Sequence, residues 1–159
     1  MKFLLAPWRW KFISDKIKNK GCVFCNAVND ENDKENLITY RGDNYFVILN
    51  KYPYNTGHLM IVPYLHTSNF SELENSEEFH FLIDKSLKIL KEEFNPDGFN
   101  IGMNIGKSAG AGIDDHIHLH IVPRWQGDSN FMAVVGKTKL ISYDMNYIYD
   151  KLHSKFLNQ

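Results

Sequence analysis

Apolar positions along this chain change their period several times, and each change marks an element. Leu37 to Tyr40 and Tyr45 to Leu49 are apolar, β-branched or aromatic runs separated by Arg41-Gly42-Asp43-Asn44, which predicts a β-hairpin. His58 to Val62 follows Asn55-Thr56-Gly57 and predicts a third strand, stopped by Pro63, which has no N–H for a ladder. From Ser76 to Phe94 the apolar side chains fall at Phe79, Leu82, Ile83, Leu87, Leu90 and Phe94, the helical period. Ser76 is the expected cap, Glu77 and Glu78 lie in the first turn, and Asn95-Pro96-Asp97-Gly98 ends the helix. Phe99 to Ile105 and His116 to Val122 return to alternation, predicting two more strands around a glycine-rich loop. Phe131 to Val135 fits a short extra strand, and Met145, Ile148, Leu152 and Phe156 mark a C-terminal helix. The sum is an α+β fold: an antiparallel β-sheet meander with one long central helix and a C-terminal helix. The polar run Asn29 to Asn36 reads as a solvated loop.

Composition narrows the picture. With 159 residues, 43% of them hydrophobic, the chain can bury one core and is too short for two enzyme domains. Neither an internal repeat nor a Pro/Gly/Ser linker divides it. The 18 basic and 19 acidic residues nearly cancel, so nothing global steers the protein toward nucleic acid or an anionic membrane, and any anion binding must be local. The short apolar run Met1 to Ala6 is broken at Pro7 and Trp8 and lacks the central region of a signal peptide, so a cytoplasmic location is expected. No apolar stretch approaches the roughly 20 residues of a membrane helix, so a soluble protein is expected. The aromatic segment Pro7 to Ile13 should pack on the main body or on a second subunit.

The chemistry concentrates in one strand. Alternation across His116-Ile117-His118-Leu119-His120-Ile121-Val122 places three histidines on one face and three apolar residues on the other. Imidazole is the side chain whose unperturbed pKa lies in the physiological window, so such a row can supply a nucleophile, a proton donor or metal ligands. A lone histidine would more often be structural; three on one face are an improbable way to tile ordinary surface. Just before them, Asn104-Ile105-Gly106-Lys107-Ser108-Ala109-Gly110-Ala111-Gly112 is rich in small residues that let backbone N–H groups approach an anion. It is not a P-loop, because a strand follows it instead of a helix. Cys22-Val23-Phe24-Cys25 holds both cysteines, a spacing that in a reducing compartment points to metal ligation or redox chemistry. A redox pair needs a helix beginning at the first cysteine, for which the sequence offers no pattern. His80 and His153 fall on expected helices and read as solvated.

These residues resemble the histidine-triad (HIT) superfamily, whose signature of three alternating histidines followed by two apolar residues is met from His116 to Val122. The resemblance extends to Asn55 through His66, similar to the family's upstream strand with its buried histidine. Ala6 to Trp10, Cys22-x-x-Cys25, Ser108 to Gly112 and Pro123 to Met132 look most like bacterial diadenosine tetraphosphate phosphorylase-like members. The chain departs from the phosphoramidase and fragile-histidine-triad branches, which carry Gly-Gln-[Ser/Thr]-Val where it has Ala111-Gly112-Ile113-Asp114-Asp115.

The resemblance implies a single HIT domain over residues 1–159, with an N-terminal extension to about residue 36, a core over about 37–125 and a C-terminal extension over about 126–159. It implies a nucleotidyl transferase or hydrolase acting on the α-phosphate of dinucleoside polyphosphates. His118 would attack phosphorus and form a nucleotidyl-histidine, His120 would hold phosphate, and His58 would support His118. The amides of Gly110, Ala111 and Gly112 and the Ser108 side chain would meet developing charge. Asn50 and Asn104 match residues around the ribose and phosphate, and Lys107 and Arg124 are candidate contacts to the distal phosphates. The same resemblance completes Cys22 and Cys25 with His66 and His116 as a structural zinc site, with no organic cofactor and no obligatory catalytic metal. It also implies a homodimer or higher homo-oligomer. The alternatives are a purine nucleoside phosphoramidase and a nucleotide-binding HIT protein with little turnover.

Overall fold

Five antiparallel strands run in the order β1-β2-β3-β5-β4, formed by Ile38–Arg41 (β1), Tyr45–Leu49 (β2), Leu59–Pro63 (β3), Gly98–Gly102 (β4) and Leu119–Arg124 (β5). The computed structural model describes residues 21–128 and 144–158. The aromatic segment at 7–13, the strand expected at 131–135 and the family-like stretch at 129–132 lie outside them. The first three strands form the expected meander. The long helix α3 (Ser76–Phe94) then intervenes, so β4 returns at the outer edge and β5 fills the place between β3 and β4. That inner position puts the histidine strand against β3, with Met60 opposite His120.

The sheet is held by apolar pairs that cross it. Tyr45 to Leu49 and Leu59 to Val62 are buried throughout, and α3 covers them with Leu82, Ile89 and Leu90. Burying such side chains contributes about 1.5–3 kcal/mol each, which is why β2 and β3 read as continuous apolar runs. The C-terminal helix α4 (Met145–Asn158) adds Ile148, Tyr149, Leu152 and Phe156. Gly57 stands where α3 passes close: its φ is +72°, and a Cβ there would lie 3.0 Å from Leu90 and 3.3 Å from Phe94.

Several local expectations are corrected. Asn75, not Ser76, caps α3, its side chain accepting the Glu78 N–H at 3.2 Å. Glu78 is turned back to the β1–β2 turn, where its carboxylate accepts the amides of Asp43 and Asn44. The polar run 29–36 is not all loop: α1 (Val23–Asn29) ends within it and Asp33–Asn36 form a short helix α2. There Asp33 pairs with Arg41 at 2.7 Å. His153 is not solvated, for its Nδ1–H donates to the Thr39 carbonyl at 3.0 Å while its ring stacks on Tyr149. The carbonyl is available because β1 and β2 slip register between Ile38 and Tyr40. His80 is exposed, as expected.

Candidate functional site

β5 begins at Leu119, later than the alternation predicts, and the reason is Pro63 at the end of β3. Proline has no N–H to extend the ladder. Its carbonyl instead accepts the His116 Nε2–H at 2.9 Å, and the Ile117 N–H crosses to the Thr67 carbonyl at 2.7 Å. His116 and His118 therefore lie on an irregular, buried approach to β5, with His120 on the strand itself.

The partners of each ring fix its tautomer. His118 Nδ1 lies 2.9 Å from the His116 carbonyl, which can only accept, so Nδ1 carries the proton and Nε2 keeps its lone pair. On His58 the reverse holds: the Tyr54 amide N–H donates to Nδ1 at 3.1 Å, so the neutral ring carries its proton on Nε2. That proton points to His120 Nδ1 at 2.9 Å, which must accept it. His120 then holds its own proton on Nε2. Two adjacent imidazoles, centroids 4.8 Å apart, thus present opposite faces: His118 an electron pair, His120 an N–H. The Nε2 of His58 is directed at His120, so the support expected of it for His118 would pass through the neighbouring His120 ring.

Burial keeps the rings neutral. Desolvation holds His116 and His118 below the ordinary imidazole range. Desolvation, with a smaller electrostatic contribution from the neighbouring His118, pushes His120 down to about 4. Since the unfolded chain binds this proton more readily, His120 stabilises the fold above its unfolded pKa of 6.5, and the contribution fades as pH falls toward 4. The full effect is on the order of 3 kcal/mol. Chemical denaturation of wild type and His120→Asn at pH 7 and pH 5 should therefore show the wild type losing more stability between the two. Parallel losses would contradict a depressed His120.

A second cluster adjoins the row. The ligand atoms of Cys22, Cys25, His66 and His116 all lie within 4.8 Å of one another, positioned to bind a metal ion. His116 Nδ1 is 3.3 Å from Cys22 Sγ, 3.6 Å from Cys25 Sγ and 3.2 Å from His66 Nδ1, and Cys25 Sγ is 3.4 Å from His66 Nδ1. Tetrahedral zinc, with bonds of about 2.3 Å to sulfur and about 2.0–2.1 Å to nitrogen, needs ligand–ligand edges of about 3.3–3.7 Å. The donors fit. The Pro63 carbonyl, by taking the His116 Nε2 proton, leaves Nδ1 bare toward the cluster, the outer-sphere contact a metal-bound histidine requires. Cys22 caps α1 through its backbone only, its sulfur facing the cluster. The helix start that sequence reasoning does not find is thus present, and both thiols face histidines, as ligation requires.

Other expected contacts are placed less closely. Asn50 ends β2 and its Oδ1 accepts the Tyr52 N–H at 2.9 Å, the role of a turn residue. Asn104 and Ser108 lie in the β4–β5 loop, half-buried and exposed respectively. Lys107, 83% exposed on its side chain, reaches Asp114 at 3.4 Å. The amides expected to cradle an anion are partly spent: the Gly110 N–H donates to the Lys107 carbonyl at 3.0 Å and the Ala111 N–H to the Gly106 carbonyl at 3.4 Å. Gly112 follows on the path toward His116. Arg124 is not brought to the row. It closes the far end of β5, bonded to Asp128 at 2.7 Å and to the Asn100 side chain.

Three contributors carry no signal in sequence. The Tyr54 amide and the Pro63 carbonyl are main-chain atoms. Asn55 is the third: its side chain donates to the Pro123 carbonyl at 3.0 Å and to Asp128 at 2.9 Å, locking the turn that carries Tyr54 and His58 to β5.

Comparison with known proteins agrees with this geometry. The model of the HIT domain family matches residues 31–127. AP-4-A phosphorylase of Mycobacterium tuberculosis is 43% identical over 111 residues, which take up 69% of this chain and 57% of that protein, so the chain spans little more than half of that relative's length. An uncharacterized HIT-like protein of Methanocaldococcus jannaschii is 32% identical over 125 residues, covering 77% of this chain and 93% of the archaeal one. Among solved structures, a Zn-bound histidine triad family protein from Mycobacterium smegmatis superposes with a TM-score of 0.66 at 26% identity, covering 87% of this chain and 94% of that one. With the matched domain enclosing the whole histidine row, this chain belongs to the HIT domain family.

Proposed function

We propose that the protein is a nucleotidyl-transferring enzyme that cleaves dinucleoside polyphosphates, with His118 as the nucleophile. The observation that carries this reading is the pair of opposite tautomers on adjacent rings, an electron pair on His118 Nε2 beside an N–H on His120. His118 Nε2 attacks the α-phosphorus, the N–P bond forms, and the P–O bond to the β-phosphate breaks, releasing the nucleoside polyphosphate. The ring then carries a positive charge, which the His116 carbonyl stabilises through the Nδ1–H. His120 Nε2–H would lie beside the phosphoryl oxygens where charge develops, with Ser108 as a further donor. An acceptor oxygen attacks the same phosphorus, the N–P bond breaks, and His118 regains its lone pair. Asn50, Asn104 and Lys107 flank the nucleotide. The relation to a mycobacterial AP-4-A phosphorylase supports the substrate class.

Zinc held by Cys22, Cys25, His66 and His116 is part of the proposal, as a structural ion that ties α1 to the approach to β5; no step at phosphorus requires it. The cytoplasmic location, the homodimer and the division of the chain at about residues 36 and 125 belong to the same reading. Among the described residues, no helix is long and apolar enough to cross a membrane.

Incubating the protein with diadenosine tetraphosphate, with and without inorganic phosphate, tests the reaction. ADP plus ATP formed only with phosphate marks a phosphorylase; AMP plus ATP marks a hydrolase. No turnover with nucleotide binding retained overturns the enzyme reading.

A further inference from the structure

We infer that Phe24, between the two cysteines, is a positioning residue for the His118 imidazole and carries the state of the Cys22–Cys25 turn to that ring. The kinetic part of this inference rests on His118 being the nucleophile; the contact itself does not.

One hydrogen bond cannot hold a ring in place. The Nδ1–H bond to the His116 carbonyl fixes which nitrogen is bare, but leaves the ring to tilt about that contact. What limits the tilt is packing, and among the described residues the ring has two aromatic neighbours: His120 at 4.8 Å and 78°, and Phe24 at 5.0 Å and 57°. Phe24 is 3% exposed and also meets His116 edge-on at 5.4 Å and Phe46 at 6.5 Å. A phenyl ring wedged between a ligand histidine and a neighbouring histidine touches both functions of the row. Its backbone sits in the first turn of α1, with Cys22 Sγ 3.3 Å and Cys25 Sγ 3.6 Å from His116 Nδ1. Anything that releases the two sulfurs frees the turn that presents Phe24. Sequence alone gives Phe24 as the filler of a Cys-x-x-Cys spacing.

Attack on phosphorus is sensitive to this kind of error, since a displacement of about 1 Å can cost about 100-fold in rate. Phe24→Leu keeps most of the volume and removes the ring contact. We expect kcat with diadenosine tetraphosphate to fall about 10- to 100-fold with KM changed less than about threefold, and bound zinc retained. In nitrogen-detected NMR of the imidazoles, the His118 signals should shift or broaden, while those of the His58–His120 pair stay in place. Cys25→Ser should lower kcat in the wild-type background but add little in the Phe24→Leu background, because both act through one contact.

An unchanged kcat together with unchanged His118 signals overturns the inference. Strictly additive effects overturn the coupling to the cysteine turn. If Phe24→Leu does not fold, Phe24→Met is judged by the same readings. Should the protein lack activity, the proposed function fails by itself, and the NMR response of His118 to Phe24→Leu still decides whether Phe24 positions the ring.

Discussion

Replacing His118 by alanine should lower the rate of nucleotidyl transfer by about 10,000-fold or more, while nucleotide binding stays within a few-fold. Among the described residues, none of the adjoining histidines can take over. His120 Nδ1 is occupied by the His58 proton and its Nε2 carries one, so it offers no electron pair to phosphorus. His116 points its Nδ1 at the cysteines and donates its Nε2–H to Pro63. His58 is fully buried, with Nδ1 held by the Tyr54 amide. What remains in the variant is the donor side of the site, which stabilises charge but forms no covalent intermediate. Quenching wild type during turnover with radiolabelled substrate should trap an acid-labile nucleotidyl adduct that the variant never shows. A variant retaining more than about 1% of the rate would reassign the nucleophile.

Cys25→Ser should empty the metal site and lower the melting temperature by about 10 °C or more, because the ion binds the folded chain and scarcely the unfolded one. A serine hydroxyl is a poor ligand for zinc, and the three remaining donors would leave the fourth place to water and hold the ion far more weakly. Burial and the adjacent Cys22 raise the Cys25 thiol above its ordinary range, so metal must displace a proton and its affinity should weaken as pH falls. Elemental analysis of the purified variant, with calorimetry of wild type before and after chelation, measures both parts. Stoichiometric zinc persisting in Cys25→Ser, or chelation without thermal effect, would remove zinc from the account.

Much of this was readable in advance where side-chain pattern decides structure. The alternation at His116–Val122, the helical period of 76–94 and the turn at 41–44 each led to the right element, since burial of one face dictates all three. The row of three histidines pointed to the HIT domain family, whose model spans it. Main-chain events escaped that reading. Pro63 withdrew two histidines from the ladder, Asn75 took the cap from Ser76, and a slip at Thr39 turned out a carbonyl for His153. Arg124 was a candidate contact to the distal phosphates, and Asp128 and Asn100 hold it at the other end of the strand from the row. The tautomer of His58, and through it that of His120, depends on the Tyr54 amide, which a residue alphabet does not record.

His116 belongs to both halves of this arrangement, through its ring to the cysteine cluster and through its carbonyl to His118. Saturation mutagenesis can interrogate only the first of these. Every amino acid placed at position 116 brings the same carbonyl, so a complete substitution scan there would score metal ligation and stay blind to the contact that sets the next histidine's proton. A genetic map of this region would therefore report the side chain at this position and leave its main-chain bond to His118 unread.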